Sequence, residues 1–392
     1  MNRYRMLLQL SCLLACALWV SGLQAAPIDQ AEAEARATFN WPLAQLSAED
    51  QAWVDQTWAR APVDAKPFTF TFAEIKTKWP QLMRGLKIDY PSPDYLKRRY
   101  LKFPGLLQSL EYQDADWQQH SLNVLEVWQA FFRGDYQHAY QLGNEYGGYA
   151  QVPGVLSEII QAVYLTPTLA QKQALLRDAI LRIKHYGQQF PYVAGDKAYG
   201  DDYAMLRLGF AYAVGRLAED ESVPALLTNH HPVIAMNTVT ELLAVAPNHP
   251  MGLALAGGVD ANVIRRVGKL VGSLGLDVHS FDAQKAFVEA TRLVPDMAIL
   301  RYEYANSLLY TKGRAAWPQA QQQLQQAAAA KPLDVMEALD AAYAKKHLAQ
   351  LEPWAAGQQD YKDYDAGQRR LRVEHDMNGY SVLPVQTAAS DK

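Results

Sequence analysis

The apolar residues of this chain recur mostly at intervals of three and four, the period of a helix with one buried face. Across residues 168–186, Leu169, Leu176, Ile180 and Ile183 form one stripe, which Gly187 and Pro191 end. Across 202–217, Leu206, Phe210, Val214 and Leu217 repeat it. Pro167, Pro224, Pro232, Pro247, Pro295 and Pro332 then break one helical stretch after another. Alternation at period two occurs in Pro67-Phe68-Thr69-Phe70-Thr71-Phe72, but it stands alone, so an extended segment is expected there rather than a sheet. The pattern predicts an all-α chain of many helices with short breaks, a bundle or a solenoid.

The two ends are less regular. Within 26–120, helical stretches at 31–37 and 72–86 are interrupted by Pro62, Pro67, Pro80, Pro91, Pro93 and Pro104, and aromatic residues such as Trp41, Trp53, Trp58 and Trp79 are dense. This predicts an N-terminal helical cap with long irregular connections. Residues 351–392 read as a polar tail with a short helix near 367–376.

The first 25 residues have a different character. Arg3 and Arg5 precede an apolar run over 6–20, and Ala25 follows as a small residue before Ala26-Pro27. That is the layout of a secretory signal peptide. The run is shorter than the roughly 20 residues that span a bilayer, so export and cleavage are expected, with the periplasm as destination and no transmembrane segment left afterwards. Leu13-Leu14-Ala15-Cys16 also matches a lipobox, which would lipidate Cys16. Apolar residues continue past that cysteine to Val20, so lipid anchoring is the lesser alternative. Cys12 and Cys16 are the only cysteines. The exported chain would therefore hold no disulfide, thiolate nucleophile or cysteine metal site.

An internal repeat organises residues 121–350. Ala283, Phe287, Ala290 and Pro295 recur as Ala320, Leu324, Ala327 and Pro332, with the prolines 37 residues apart. Intervals of four and three put each trio on one helix face. The alanines admit a neighbouring helix, the larger residue fills the groove, and the proline stops the helix. The stretch 300–310 is the expected partner helix, with Tyr304-Ala305 as a large–small pair, and Lys312-Gly313 marks the turn. This spacing resembles the tetratricopeptide repeat. Looser copies lie at Arg133-Gly134-Asp135-Tyr136-Gln137-His138-Ala139, and at Ala235, Val239 and Pro247, where Leu242 takes the small position. Ala256-Gly257 gives a weakened large–small pair, and an insertion is expected over 263–276. Val263 to Leu270, Ala286-Phe287 to Pro295-Asp296, Tyr302-Glu303-Tyr304-Ala305-Asn306 and Met336 to Asp340 together resemble the regulator-of-microtubule-dynamics type of tetratricopeptide-like protein. They are also similar to the periplasmic T component of TRAP-type transporters. The resemblance implies a tetratricopeptide-like helix-pair solenoid, an α-α superhelix behind the aromatic-rich cap. It implies an adaptor role with no enzymatic residue.

Charge and motifs narrow the chemistry further. The net charge is −4, which gives no electrostatic footprint for nucleic acid, and Lys97-Arg98-Arg99 reads as a solvated helix face. Gly268-Lys269 and Gly272-Ser273 fit neither a phosphate loop nor a dinucleotide fingerprint. His230-His231-Pro232 is the densest histidine cluster, but adjacent residues point apart, so a helix cap is expected rather than a metal site. The acids at Asp201-Asp202, Glu219-Asp220-Glu221 and 360–365 are read as caps and solvated faces. Neither cofactor nor metal is expected. The expected role is recognition of a protein or peptide by a non-enzymatic scaffold. Its concave face would carry Tyr302, Asn306 and Tyr310, spaced at intervals of four. One alternative is a periplasmic solute-binding accessory of a transporter, which predicts a closed aromatic-lined cavity. Another is an (α/α) toroid acting as a polysaccharide lyase or hydrolase, which predicts a cleft with an acid or a Tyr–His pair within hydrogen-bond reach.

Overall fold

The computed structural model describes residues 45–103, 116–166, 168–187, 200–222, 225, 229–267 and 280–357. The leader at 1–25, with Cys12 and Cys16, lies outside these residues, as do the helical stretches at 31–37 and 367–376, the 360–365 acids and most of the 263–276 insertion. The described residues are helical and contain no strand. Pro67 to Phe72 begins as a single 3-10 turn and runs extended, burying Phe68 and Phe70 without a partner strand.

Three helices form the N-terminal part: α1 (Ala48–Val54), α2 (Phe72–Leu82) and α3 (Pro93–Lys102). Their starts follow from local chemistry. Thr71 and Glu74 exchange hydrogen bonds in a capping box at α2. Ser92 caps α3 with Pro93 in its first turn. Pro67 and Pro93 thus stand at the starts of turns or helices, whereas Pro80 lies in a helix interior. The aromatic residues gather where α2 meets α4 (Trp117–Phe132). There Trp79 lies edge-on to Trp128 at 5.6 Å, and Trp128 stacks on Phe132 at 5.5 Å. The Trp79 indole N–H donates to the Ile88 carbonyl at 2.8 Å, so this large ring is buried with its polar handle satisfied.

From α4 onward the helices alternate in place. After α4 come α5 (Tyr136–Tyr146), α6 (Gln151–Ile160, extended by a π-helical turn Gln161–Leu165), α7 (Leu169–Gly187) and α8 (Gly200–Ala218). Then follow α9 (His231–Val245), α10 (Pro250–Val267), α11 (Ser280–Leu293), α12 (Ala298–Lys312), α13 (Trp317–Ala328) and α14 (Val335–Ala355). Each odd-numbered helix from α5 to α13 packs on the even-numbered helices before and after it. Each even-numbered helix also touches the next even-numbered one, and α14 returns to touch α4. The even-numbered helices therefore close an inner ring. The N-terminal helices share one apolar core with most of the ring, from Val54 to Leu339, while α12 packs in two further clusters with α10, α11, α13 and α14. Position 350 falls inside α14, which continues to Ala355 and buries Trp354.

The alanine-spaced faces are the seams of this packing. Ala283, Phe287 and Ala290 on α11 and Ala320, Leu324 and Ala327 on α13 are all 0% exposed. Phe287 stacks on Tyr304 of α12 at 5.6 Å. Gly257 of α10 permits that approach, since a Cβ there would lie 2.7 Å from the Ala283 carbonyl oxygen and 2.8 Å from the Phe287 ring. Where Leu242 replaces a small residue, Gly252 on α10 yields the space instead. The apolar stripes of α7 and α8 face inward, with Leu176, Ile180, Phe210 and Val214 at 0% exposure. The turn after Lys312 is lengthened by a 3-10 segment, Gly313–Ala316.

A strap from the N-terminal part, residues 83–90, crosses the ring. Arg84 bridges Glu337 of α14 at 2.6 Å and Asp296 at 3.2 Å. The ring of His249 fixes the next residues. Its Nε2–H donates to the Leu86 carbonyl at 3.0 Å, and its Nδ1 accepts the Gly252 N–H at 3.1 Å. This arrangement requires the neutral ring, and burial lowers the His249 pKa to about 4. His120 is lowered to about 4 by burial as well.

Two outcomes follow from this packing. In urea titrations Gly257→Ala is expected to lose about 1–3 kcal/mol to overpacking. Gly258→Ala, whose added methyl meets nothing within 4 Å, should be neutral or gain up to about 1 kcal/mol from helix propensity. Equal midpoints for the two would remove the seam argument. The second outcome concerns pH. The folded pKa of His249 lies below its ordinary 6.5, so its contribution is whole above pH 6.5 and is lost as pH falls toward 4. That loss should reach about 3 kcal/mol, and His249→Gln should flatten the slope of stability against pH in that window.

Candidate functional site

The inner ring lines a partly open cavity of about 190 Å³. All six even-numbered helices contribute to its wall, among them Phe131 of α4, Ile159 of α6, Leu208 of α8, Ala254 of α10, Leu300 of α12 and Met336 of α14. Leu86 of the strap also lines it. These residues face inward because the ring helices are packed by odd-numbered helices on the outside, leaving a second apolar stripe toward the centre. Gly258 faces the same space with no atom within 4 Å of a would-be Cβ.

One side of the cavity is polar. Tyr164, Tyr212, Arg216, Glu219, Glu303 and Asp340 meet there. The π turn at Gln161–Leu165 carries Tyr164 into this group, as such turns often do at functional positions. The Tyr164 hydroxyl donates to Asp340 Oδ1 at 2.5 Å. Asp340 is 1% exposed. Burial first, then its acidic neighbours Glu337, Asp334 and Glu303, push its pKa well above the carboxylate range, against the opposing pull of the Tyr164 hydrogen bond. Burial likewise raises the phenols of Tyr164 and Tyr212. Asp334, the N-cap of α14, is raised to about 8 by burial and by Glu337. The Asp340 carboxyl is thus shifted toward its protonated form, which can donate as well as accept a hydrogen bond.

Two arginines of α10 stand farther along the wall. The Arg265 guanidinium lies 4.6 Å from the centre of the Tyr310 ring, and Arg266 Nη1 donates to the Glu219 carbonyl at 2.9 Å. Arg216 pairs with Glu219 at 3.1 Å.

The residues selected from sequence surround this cavity without lining it. Tyr302 is half-buried with its ring 5.5 Å from His347 of α14. Asn306 is 4% exposed and donates through Nδ2 to Glu303 at 3.2 Å. Tyr310 underlies Arg265. Asn306 and Tyr310 therefore support two groups of the wall, whereas Tyr302 belongs to the α12–α14 contact. On α12 the wall is made by Ile299, Leu300 and Glu303. The lining residues that sequence reasoning passed over are Tyr164, Tyr212 and Asp340. An acid four residues after Met336, on one stripe of an apolar helix face, was the available signal for Asp340.

Other chemistry-bearing clusters resolve into structural roles. Asp220 pairs with the buried Lys172 at 3.2 Å, and Glu221 with His231 Nδ1 at 3.0 Å. His230 is the N-cap residue of α9, with φ of 55°. A Tyr–His pair within hydrogen-bond reach is present at Tyr100 and His120, 2.7 Å apart, but both are 0% exposed and away from the cavity. Among the described residues no group of three or more His, Cys, Asp or Glu could hold a metal ion, and no helix is long and apolar enough to cross a membrane. The side chains of Asp201 and Asp202 lie outside the described residues. Comparison of the chain with protein-family models, with curated proteins and with solved structures gives no match.

Proposed function

We propose that this chain is an exported binding protein that holds a small, largely apolar molecule in the chamber at the centre of a tetratricopeptide-like ring of helix pairs, without performing chemistry on it. The leader-like run of residues 6–20 supports export to a periplasm. The observation that carries the reading is the chamber itself. At about 190 Å³ it exceeds the roughly 150 Å³ of an engineered apolar cavity that stays dry and binds benzene. Its wall is mostly aliphatic and aromatic with a few converging polar groups, the usual composition of a small-molecule site. That wall suits a polysaccharide poorly, since sugar hydroxyls would lose water without gaining partners. The groove-face reading built on Tyr302, Asn306 and Tyr310 has weaker support, because Asn306 is buried and bonded to Glu303 and Tyr302 packs on His347 of α14.

The test is thermal. Toluene or indole in excess over its dissociation constant should stabilise the protein by about 1–3 kcal/mol through mass action, read as a rise in Tm. Gly258→Leu, which fills open space, should fold normally and abolish the rise. No rise with either compound, or an equal rise in both proteins, would overturn the reading.

A further inference from the structure

On the polar side of the chamber the fold leaves the hydrogen bonding of Asp340 incomplete, as it does that of Asn262 Oδ1 and Arg265 Nη1 farther along the wall. Asp340 lines the cavity at 1% exposure. Its Oδ1 accepts the Tyr164 hydroxyl, and its Oδ2 has no hydrogen-bond partner. A buried carboxyl with a free oxygen loses the solvation of that atom without compensation.

The groups facing it explain why. On its own helix stand Asp334 and Glu337, on α12 Glu303, on α5 Tyr136, and on α6 and α8 Tyr164 and Tyr212. The nearby cations are committed elsewhere. Arg84 holds Glu337 at 2.6 Å, and Arg216 holds Glu219 at 3.1 Å. The groups acting directly on Asp340 are therefore acids and phenols, with Arg216 acting on Tyr164 and Tyr212 beside it, and burial among them favours its protonated form. A cation brought in through the chamber would complete the set.

We propose that the chamber takes a primary amine with an apolar body, its ammonium seated on Asp340 and its hydrocarbon part against the Phe131, Ile159 and Leu300 wall. The proposal rests on the ligand-binding reading above. An ammonium offers three donors, which suits a carboxyl oxygen left free. The rings of Phe131, Tyr164 and Tyr212 line the same space and attract a cation through their faces. The chamber volume suits a body about the size of one aromatic ring with a short stem. On binding, the ammonium keeps its proton and Asp340 releases its own to solvent, so one neutral acid and one cation become an ion pair. A carboxylate ligand, drawn instead to Arg265 and Arg266, is the competing occupant.

Calorimetry separates these outcomes. The probes are phenethylamine, its neutral analogue phenethyl alcohol and the carboxylate hydrocinnamate, titrated at pH 7 into wild type and Asp340→Asn. Wild type should bind the amine more tightly than the alcohol by on the order of tenfold or more. The substitution keeps an acceptor for Tyr164. It should weaken amine binding by on the order of ten- to a hundredfold and leave the alcohol within about threefold. Titration of wild type in two buffers of different ionisation enthalpy gives a check that needs no variant: a net release of protons on binding the amine, and none on binding the alcohol. Tighter binding of the alcohol or the carboxylate, equal losses for amine and alcohol in the variant, or no proton release would overturn the amine assignment while the toluene result stood. Failure of toluene together with all three probes would remove the chamber reading itself.

Discussion

The first turn of α14 is the place on which the rest of the molecule depends. Every other ring contact joins helices close in sequence, but here the last ring helix returns to the first. Val335 packs against Gly134 in the turn after α4, where a Cβ would lie 2.5 Å from Val335 Cγ1 and where φ is +77°. A glycine is needed there both for its conformation and for the approach. One turn on, Glu337 receives Arg84 and so ties the N-terminal strap across the ring. Asp340 then meets Tyr164 at the wall of the chamber. Ring closure, strap and polar side are thus set within six residues of one helix. A helix array without such a closure would present a groove, and the chamber exists because this turn completes the circle.

The closure also concentrates acids. Asp334, Glu337 and Asp340 lie three residues apart along the helix, on neighbouring turns of one face. Glu337 has Arg84, and Asp334 caps the helix by accepting the Glu337 N–H at 2.8 Å. Burial first, then the closeness of neighbouring carboxylates, shifts Asp334 and Asp340 upward together. A change at any one of the three therefore reaches the wall of the chamber.

The helices were legible in the sequence because a helix with one buried face writes its period directly into the apolar residues. The seams at Ala283-Phe287-Ala290 and Ala320-Leu324-Ala327 lie on outer helices, which bury a single broad face, and the reading there matches the burial found. The ring helices are different. α12 touches α10, α11, α13 and α14, so it buries most of its circumference, and periodicity cannot say which buried stripe meets a neighbour and which meets empty space. Tyr302, Asn306 and Tyr310 do share a face, but the chamber lies along Ile299, Leu300 and Glu303. Tyr164 was hidden for another reason. The π turn at Gln161–Leu165 departs from the α-helical period, so a stripe extrapolated from α6 points away from where Tyr164 lies. Closure by Val335 and Gly134 is a contact between residues 201 positions apart, for which no local pattern exists.

The chamber is costly to keep and simple to lose. By the calibration from core truncations, filling about 190 Å³ with packed side chains would contribute up to about 4–5 kcal/mol, a large part of the roughly 5–15 kcal/mol that holds a domain folded. Gly258 adds about 1 kcal/mol in lost helix propensity, with nothing near its α-carbon that requires a glycine. A partnerless buried carboxyl oxygen adds a further penalty of about 1–3 kcal/mol. A larger side chain at position 258 would recover the first two terms without disturbing a seam, whereas an apolar one at position 340 would remove the third only by leaving the Tyr164 hydroxyl without its acceptor. The open volume and the glycine that faces it lie together at the centre of the ring, while the outer seams of the same molecule are packed to 0% exposure. Packing is thus close where helix pairs meet and loose where the ring helices face one another, which is where an occupant would sit.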